Sequence, residues 1–104
     1  MLDELSDAIA DRRRVRIRYA GDPRGWRRLE PHILYVSSAG VVCVEGMQVS
    51  GPSRSGLDGP AWRRFDLPLI RRLEPLPERF EPSDVFNPGD RDRYHRVIAS
   101  CEEL

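Results

Sequence analysis

The chain has 104 residues, 17 basic and 17 acidic side chains, and two histidines. A chain of this size is expected to hold one small domain rather than a catalytic domain plus a regulatory one. Zero net charge excludes a bulk polycation that binds nucleic acid by charge alone, but it leaves room for a local basic face. Every basic residue is arginine, and lysine and threonine are absent. Codon bias in a GC-rich genome accounts for that choice, and so does the fit of a planar guanidinium to phosphate or carboxylate. No apolar run approaches the ~18 residues of a transmembrane helix. The opening Met1-Leu2-Asp3-Glu4-Leu5 is acidic and amphipathic, unlike a signal peptide, which points to the cytoplasm. Cys43 and Cys101 form no CxxC pair and are expected as reduced core residues.

In chain order, Leu2, Leu5, Ala8 and Ile9 share one face of a short helix over residues 2–12. Acids in its first turns and arginines at its end suit the helix dipole. From Arg14 to Tyr19 the period changes to two. Arg14, Arg16 and Arg18 alternate with Val15, Ile17 and Tyr19, which predicts a half-buried strand. A turn at 21–25 leads to a second extended stretch, Trp26 to Val36. Pro31 inside it argues for an edge strand or a bend rather than a central position. Val41 to Val44 reads as a strand buried on both faces. Residues 50–60 form a long loop of the kind that is functional or disordered. Strands follow at Trp62 to Leu67 and Ile70 to Leu73, then a proline-punctuated connection through Pro75, Pro77, Pro82 and Pro88. Asp90 can cap a final helix with Tyr94, Val97, Ile98, Cys101 and Leu104 as its apolar stripe. Short consecutive strands of this kind imply a small antiparallel barrel or rolled sheet, closed to hide its edges.

The chemistry of a catalyst is not visible in this pattern. His32 and His95 lie far apart, and no HExxH or H-x-H spacing exists, so no metal site is expected. There is no G-x-S-x-G elbow, and a chain without lysine cannot carry a Walker P-loop. No catalytic residue and no cofactor is expected. What remains is arginine on strands. Arg14, Arg16 and Arg18 project from one face at ~6.6 Å intervals. That spacing approximates the phosphates of an extended single strand, and it equally fits a solvated face balanced by acids such as Glu30 or Asp66. Trp26 and Trp62 each precede an arginine pair, Arg27-Arg28 and Arg63-Arg64. An aromatic beside guanidinium groups can stack a base and hold its phosphate, or simply cap a barrel core.

The order of these features resembles the WYL domain, a bacterial module built on a small Sm-like, SH3-type β-barrel. The resemblance runs over about residues 5–80. It rests on Ala8-Ile9 through Val15-Arg16-Ile17-Arg18-Tyr19, on Arg28-Leu29-Glu30-Pro31-His32-Ile33-Leu34, and on Gly40-Val41-Val42-Cys43-Val44. Arg63-Arg64-Phe65, Ile70 and Glu78-Arg79-Phe80 complete it. The Trp-Tyr-Leu tripeptide that names the family is Val42-Cys43-Val44 here. The arginine-bearing stretch before the isoleucine reads Asp66-Leu67-Pro68-Leu69. Of the ligand-facing residues that the resemblance implies, Tyr19, Arg28 and Arg63 are present. It also implies a ligand-sensing regulatory role, with single-stranded nucleic acid or nucleotides among the ligands.

The reading as a whole is a mainly β (α+β) fold, a five-stranded antiparallel SH3/Sm-like barrel with an N-terminal and a C-terminal helix. Residues 1–80 are expected to form the WYL-like domain and residues 81–104 an extension that docks on it or on a partner. The expected activity is non-catalytic binding of nucleic acid or a nucleotide-like anion. Arg16, Arg18, Arg28, Arg63 and Arg64 would hold phosphates, and Tyr19, Trp26 or Trp62 would stack. The alternative is a protein-interaction module in which Tyr94, Val97, Ile98, Cys101 and Leu104 dock on a second copy or on a separately encoded transcriptional regulator.

Overall fold

The computed structural model describes residues 1–23, 25–53 and 60–102. Helix α1 (Leu2–Ala10) opens the chain. Six strands follow: β1 (Arg13–Tyr19), β2 (Arg27–Val36), β3 (Val42–Ser50), β4 (Ala61–Asp66), β5 (Ile70–Arg79) and β6 (Arg96–Ser100). Residues 54–59 of the expected long loop lie outside the described residues. The alternation in β1 is realised as predicted, with Val15 and Ile17 fully buried and the intervening arginines facing out. Leu5, Ala8 and Ile9 of α1 join them in the core, although Leu2 is exposed. The helix stops at Ala10, and Arg12 takes a left-handed conformation (φ 54°) to turn the chain into β1. Its carbonyl accepts from the Phe80 N–H and its Nε donates to the Cys101 carbonyl, so the bend is held from two sides.

The strands form one antiparallel sheet in the order β4-β3-β2-β1-β5, with β6 added to β2. The expected closed, five-stranded barrel is corrected. Among the described residues β4 and β5, the two ends of that order, do not pair, and the sheet is not closed. A 3-10 turn at Leu67–Leu69, with Pro68 inside it, separates these strands. β5 is also longer than its first residues suggested, running through Pro75 and Pro77 to Arg79. Prolines and charges on such a strand blunt its free edge without requiring closure.

Pro31 does not make β2 an edge strand; β2 is central. β3 flanks one side of it along its length, while β1 pairs with Arg27–Leu29 and β6 with Ile33–Val36 on the other. Pro31 falls between those two neighbours, where a missing N–H costs least, and the register with β3 shifts between Pro31 and Ile33. The predicted bend is therefore present. Gly46 lies opposite it, because a Cβ there would stand 2.0 Å from the Glu30 carbonyl oxygen.

Among the described residues no C-terminal helix forms. The spacing of Tyr94, Val97 and Cys101 fits a helical stripe, but β1 leaves Ile33–Val36 of β2 without a neighbour. Arg96, Val97, Ala99 and Ser100 supply the ladder on that edge instead, with Ile98 skipped at a register shift. Tyr94 and Cys101 consequently enter the core with Phe80 and Phe86, whereas Ile98 points to solvent. The residues expected to form one docking stripe thus do not share a face, and Leu104 lies outside the described residues.

Gly46→Ala tests the bend directly. The β-carbon collides with backbone that cannot retreat without breaking the β2–β3 register, so the variant should lose about 2 kcal/mol or more in urea denaturation. An unchanged midpoint would contradict this account of the bulge.

Candidate anion-binding site

The eight sequence-derived site residues are divided between two surfaces. The outer face of β1, β2 and β5 carries Arg14, Arg16, Arg18, Trp26, Arg28 and Arg72. Arg16 lies directly opposite Arg28 on one side and Glu74 on the other, and Arg18 lies opposite Arg72. Acids answer part of this row. Arg16 binds Glu74 through Nη2 at 2.7 and 3.1 Å, and Arg14 binds Glu30 at 2.9 and 3.1 Å. Trp26 is occupied too, with the Arg16 and Arg18 guanidinium carbons 4.2 and 5.0 Å from its ring centroid. Among the described residues, Arg18 and Arg28 are exposed and form no ion pair with a carboxylate. Part of this face is thus an arginine–glutamate ladder, with Glu30 acting as one of the balancing acids anticipated for it.

The other residues meet at β4, the end strand of the sheet. A concavity of about 420 Å³ is lined by Tyr19, Arg27, Trp62, Arg63, Arg64 and Phe65, with no carboxylate among them. Tyr19 comes from the end of β1. Its ring meets Phe65 edge-on at 5.1 Å, and its hydroxyl accepts the Asp66 N–H at 2.9 Å. Arg63 and Arg64 occupy successive positions of β4 and so project to opposite faces of the strand. Arg64 is exposed, with Asp66 no closer than 3.8 Å.

Arg27 forms the floor, and its role was missed in the sequence. It is 4% exposed and makes a two-pronged ion pair with Asp22, Nε to Oδ2 at 2.7 Å and Nη2 to Oδ1 at 2.6 Å. Nη1 donates to Gln48 at 3.1 Å, and Gln48 in turn donates to the carbonyls of Gly51 and Pro52. The guanidinium carbon lies 5.2 Å from the Phe65 ring centroid and 5.5 Å from that of Tyr19. Arg27 thereby fixes both rings and ties the 19–25 turn to the segment after β3. Its parity with Leu29 placed it inward from the start. The alternation was the available signal, and its charge obscured it.

Two further buried polar groups support Trp62. Glu45, 1% exposed, receives the indole Nε1–H at 2.8 Å, the Arg93 Nε at 3.0 and 3.2 Å, the Tyr94 hydroxyl at 3.3 Å and the Tyr35 hydroxyl in a short hydrogen bond. Burial, followed by the Glu45 carboxylate, pushes the Tyr94 phenol up to about 12 and raises Tyr35 further. On the core side, His32 meets Trp62 edge-on at 4.9 Å and lies beside Phe80 and Phe86 at 4.9 and 5.2 Å. Its Nδ1 donates to the Glu30 carbonyl at 2.7 Å, and its Nε2 accepts the Ser83 N–H at 2.9 Å. Both partners together fix the neutral tautomer. Burial lowers the imidazole pKa, outweighing the Glu30 carbonyl and the carboxylates of Glu30 and Glu102, which pull it up.

Both cysteines are free and buried, and burial pushes each thiol up to about 11, away from reactivity. Among the described residues no group of three histidines, cysteines or carboxylates could hold a metal ion. Among them, too, no helix is long and apolar enough to cross a membrane.

A small antiparallel sheet with an arginine- and aromatic-lined concavity is the architecture of a ligand-binding module. The chain belongs to the WYL domain family, whose model matches residues 1–75. WYL domains are, in general, regulatory and ligand-binding modules. Of the ligand-facing residues expected from the resemblance, Tyr19 and Arg63 line the concavity, while Arg28 lies on the outer face. Neither the curated proteins nor the solved structures provide a match.

Two outcomes follow from these buried charges. Asp22→Ala leaves the Arg27 guanidinium buried without its counter-charge and should cost about 3 kcal/mol or more in urea denaturation. His32, neutral when folded, makes the unfolded chain the stronger proton binder below the imidazole value of 6.5. Its contribution is complete above that value and declines as pH falls through it toward the lowered folded value. The urea midpoint should therefore fall between about pH 7 and about pH 5.5 in wild type and in His95→Gln alike. A profile that is flat, or that His95→Gln flattens, would exclude His32 as the source.

Proposed function

We propose that this WYL domain is a non-catalytic regulatory module of the cytosol that binds a nucleotide-like anion in the β4 concavity. One observation carries the reading: guanidinium groups and three aromatic rings line a single depression without a lining carboxylate. Rings lining such a depression can stack a base, and a guanidinium can hold its phosphate by two parallel hydrogen bonds. Arg63 and Arg64 supply the cations. Arg27, neutralised by Asp22, holds the Tyr19 and Phe65 rings in place. A volume of about 420 Å³ suits a mononucleotide or the terminal residue of a single strand. Arg18 and Arg28, on the neighbouring outer face, are open to further phosphates of a longer strand. Arg16 and Trp26 contribute less, since Glu74 and the two stacked guanidiniums already engage them.

Titration with AMP and with a labelled single-stranded hexanucleotide, at about 50 and about 200 mM salt, tests this reading. Both should bind at the lower salt and weaken at the higher, the longer ligand more steeply, because it releases more counterions. Arg63→Gln should weaken AMP about ten-fold, equivalent to about 1.4 kcal/mol. Absence of binding at low salt, or binding indifferent to Arg63→Gln, would overturn the assignment.

A further inference from the structure

Residues 80–102 lie beyond the family match, yet they run as a strap across the back of the candidate site. Besides its contacts with Arg12, the strap is fastened at three points. Ser83 donates to His32, Arg93 and Tyr94 hold Glu45, and β6 pairs with β2. The first two points share one side chain. Trp62 meets His32 edge-on at 4.9 Å, stacks on Phe86 of the strap at 5.8 Å and donates its indole N–H to Glu45 at 2.8 Å. Trp62 also lines the concavity. A second depression, lined by Trp62 and the strap residues Val85, Asn87, Asp90, Arg93 and Tyr94, shares the same indole. The candidate ligand site and the strap thus share one ring.

We infer that the strap is the element through which this module reports its ligand, with Trp62 as the shared contact and Glu45 as the positioning residue that links the two. The inference rests on the concavity being the ligand site. A ligand that packs on Trp62 favours the indole orientation that satisfies Glu45, and Glu45 in that arrangement is the acceptor that Arg93 and Tyr94 require. Linkage makes the effect reciprocal: whatever tightens the strap tightens the ligand, and by the same factor. Glu45 is well suited to the task, because a buried carboxylate with four different donors loses all of them if it moves. The strap is equally suited, because outer residues such as Val85 are exposed and neither the β1–β2 nor the β2–β3 pairing includes it.

Hydrogen–deuterium exchange followed residue by residue tests the coupling, with AMP as the probe. AMP should slow exchange at Ser83, Tyr94 and Cys101 at least about three-fold, and Tyr94→Phe or Arg93→Gln should abolish that slowing while AMP still binds, about three-fold more weakly. AMP binding with no change in the strap would overturn the coupling and leave the ligand site standing. A second arm needs no ligand. Phe86→Leu and Glu45→Gln should speed exchange at Trp62 to Asp66 together with the strap. If only strap amides respond, the coupling is overturned whether or not AMP binds. If AMP fails to bind and the Trp62 to Asp66 amides still follow the strap, the ligand assignment falls and the mechanical link remains.

Discussion

The bend in β2 is the constraint on which the rest of the molecule depends. One ten-residue strand serves two neighbours on the same edge, β1 over its first third and β6 over its last four residues. Pro31 occupies the interval between them, and the register shift beside it lets His32 turn its ring toward Trp62, Phe80 and Phe86. A strand covered on one face would alternate in burial, but here Pro31, His32, Ile33, Leu34 and Tyr35 are all buried. Five consecutive buried residues in a strand need covering on both faces. The sheet covers one side with α1, and the strap covers the other.

The interior is polar to an unusual degree for so small a fold. Arg27, His32, Glu45 and Gln48 are all buried. Each is satisfied by partners from distant parts of the chain: Arg27 by the turn before it and the segment after β3, Glu45 by β2, β4 and the strap, His32 by β2 and the strap. Replacing such groups with apolar ones of similar shape can be neutral for stability, whereas removing one member alone is costly. Their contribution is therefore less to total stability than to which segments lie together. Arg27 lines the β4 concavity beside Tyr19 and Phe65, and Glu45 holds the Trp62 indole, so both act on its aromatic walls.

The alternation from Arg14 to Tyr19, the helix before it and the mainly β character were legible because each is a local pattern with one physical solution. The bend at Pro31 was legible as well, although not its position in a central strand, since a proline reports what its own backbone cannot do and nothing about who its neighbours are. The missing closure and the absent C-terminal helix were not legible for a different reason. Tyr94, Val97 and Cys101 satisfy a helical period and a strand with flanking turns equally well, and only the vacant edge of β2 decides between them. The site was partly legible. Tyr19, Trp62, Arg63 and Arg64 do line one concavity, whereas Arg16, Arg18, Trp26 and Arg28 belong to another face. The acid that engages Arg16, Glu74, becomes its neighbour only through a strand pairing 58 positions away in sequence. Arg27 and Glu45 were passed over because charge on an inward position reads as an exception until its partner is known.

The contact between Arg12 and the carbonyl of Cys101 spans 89 positions. It joins the start of β1 to the end of β6, on the one edge of β2 that both strands share. A chain synthesised from its N-terminus can therefore form the helix and the β1–β2 hairpin early, but it holds half of the central strand unsatisfied until its last strand is available. Closing so long a loop carries a large entropic cost before any contact rewards it. Folding of this domain should accordingly be slow for its size and complete only after translation of the strap. During that interval the bare edge of β2 is the place where a chaperone, or a neighbouring nascent chain, would pair.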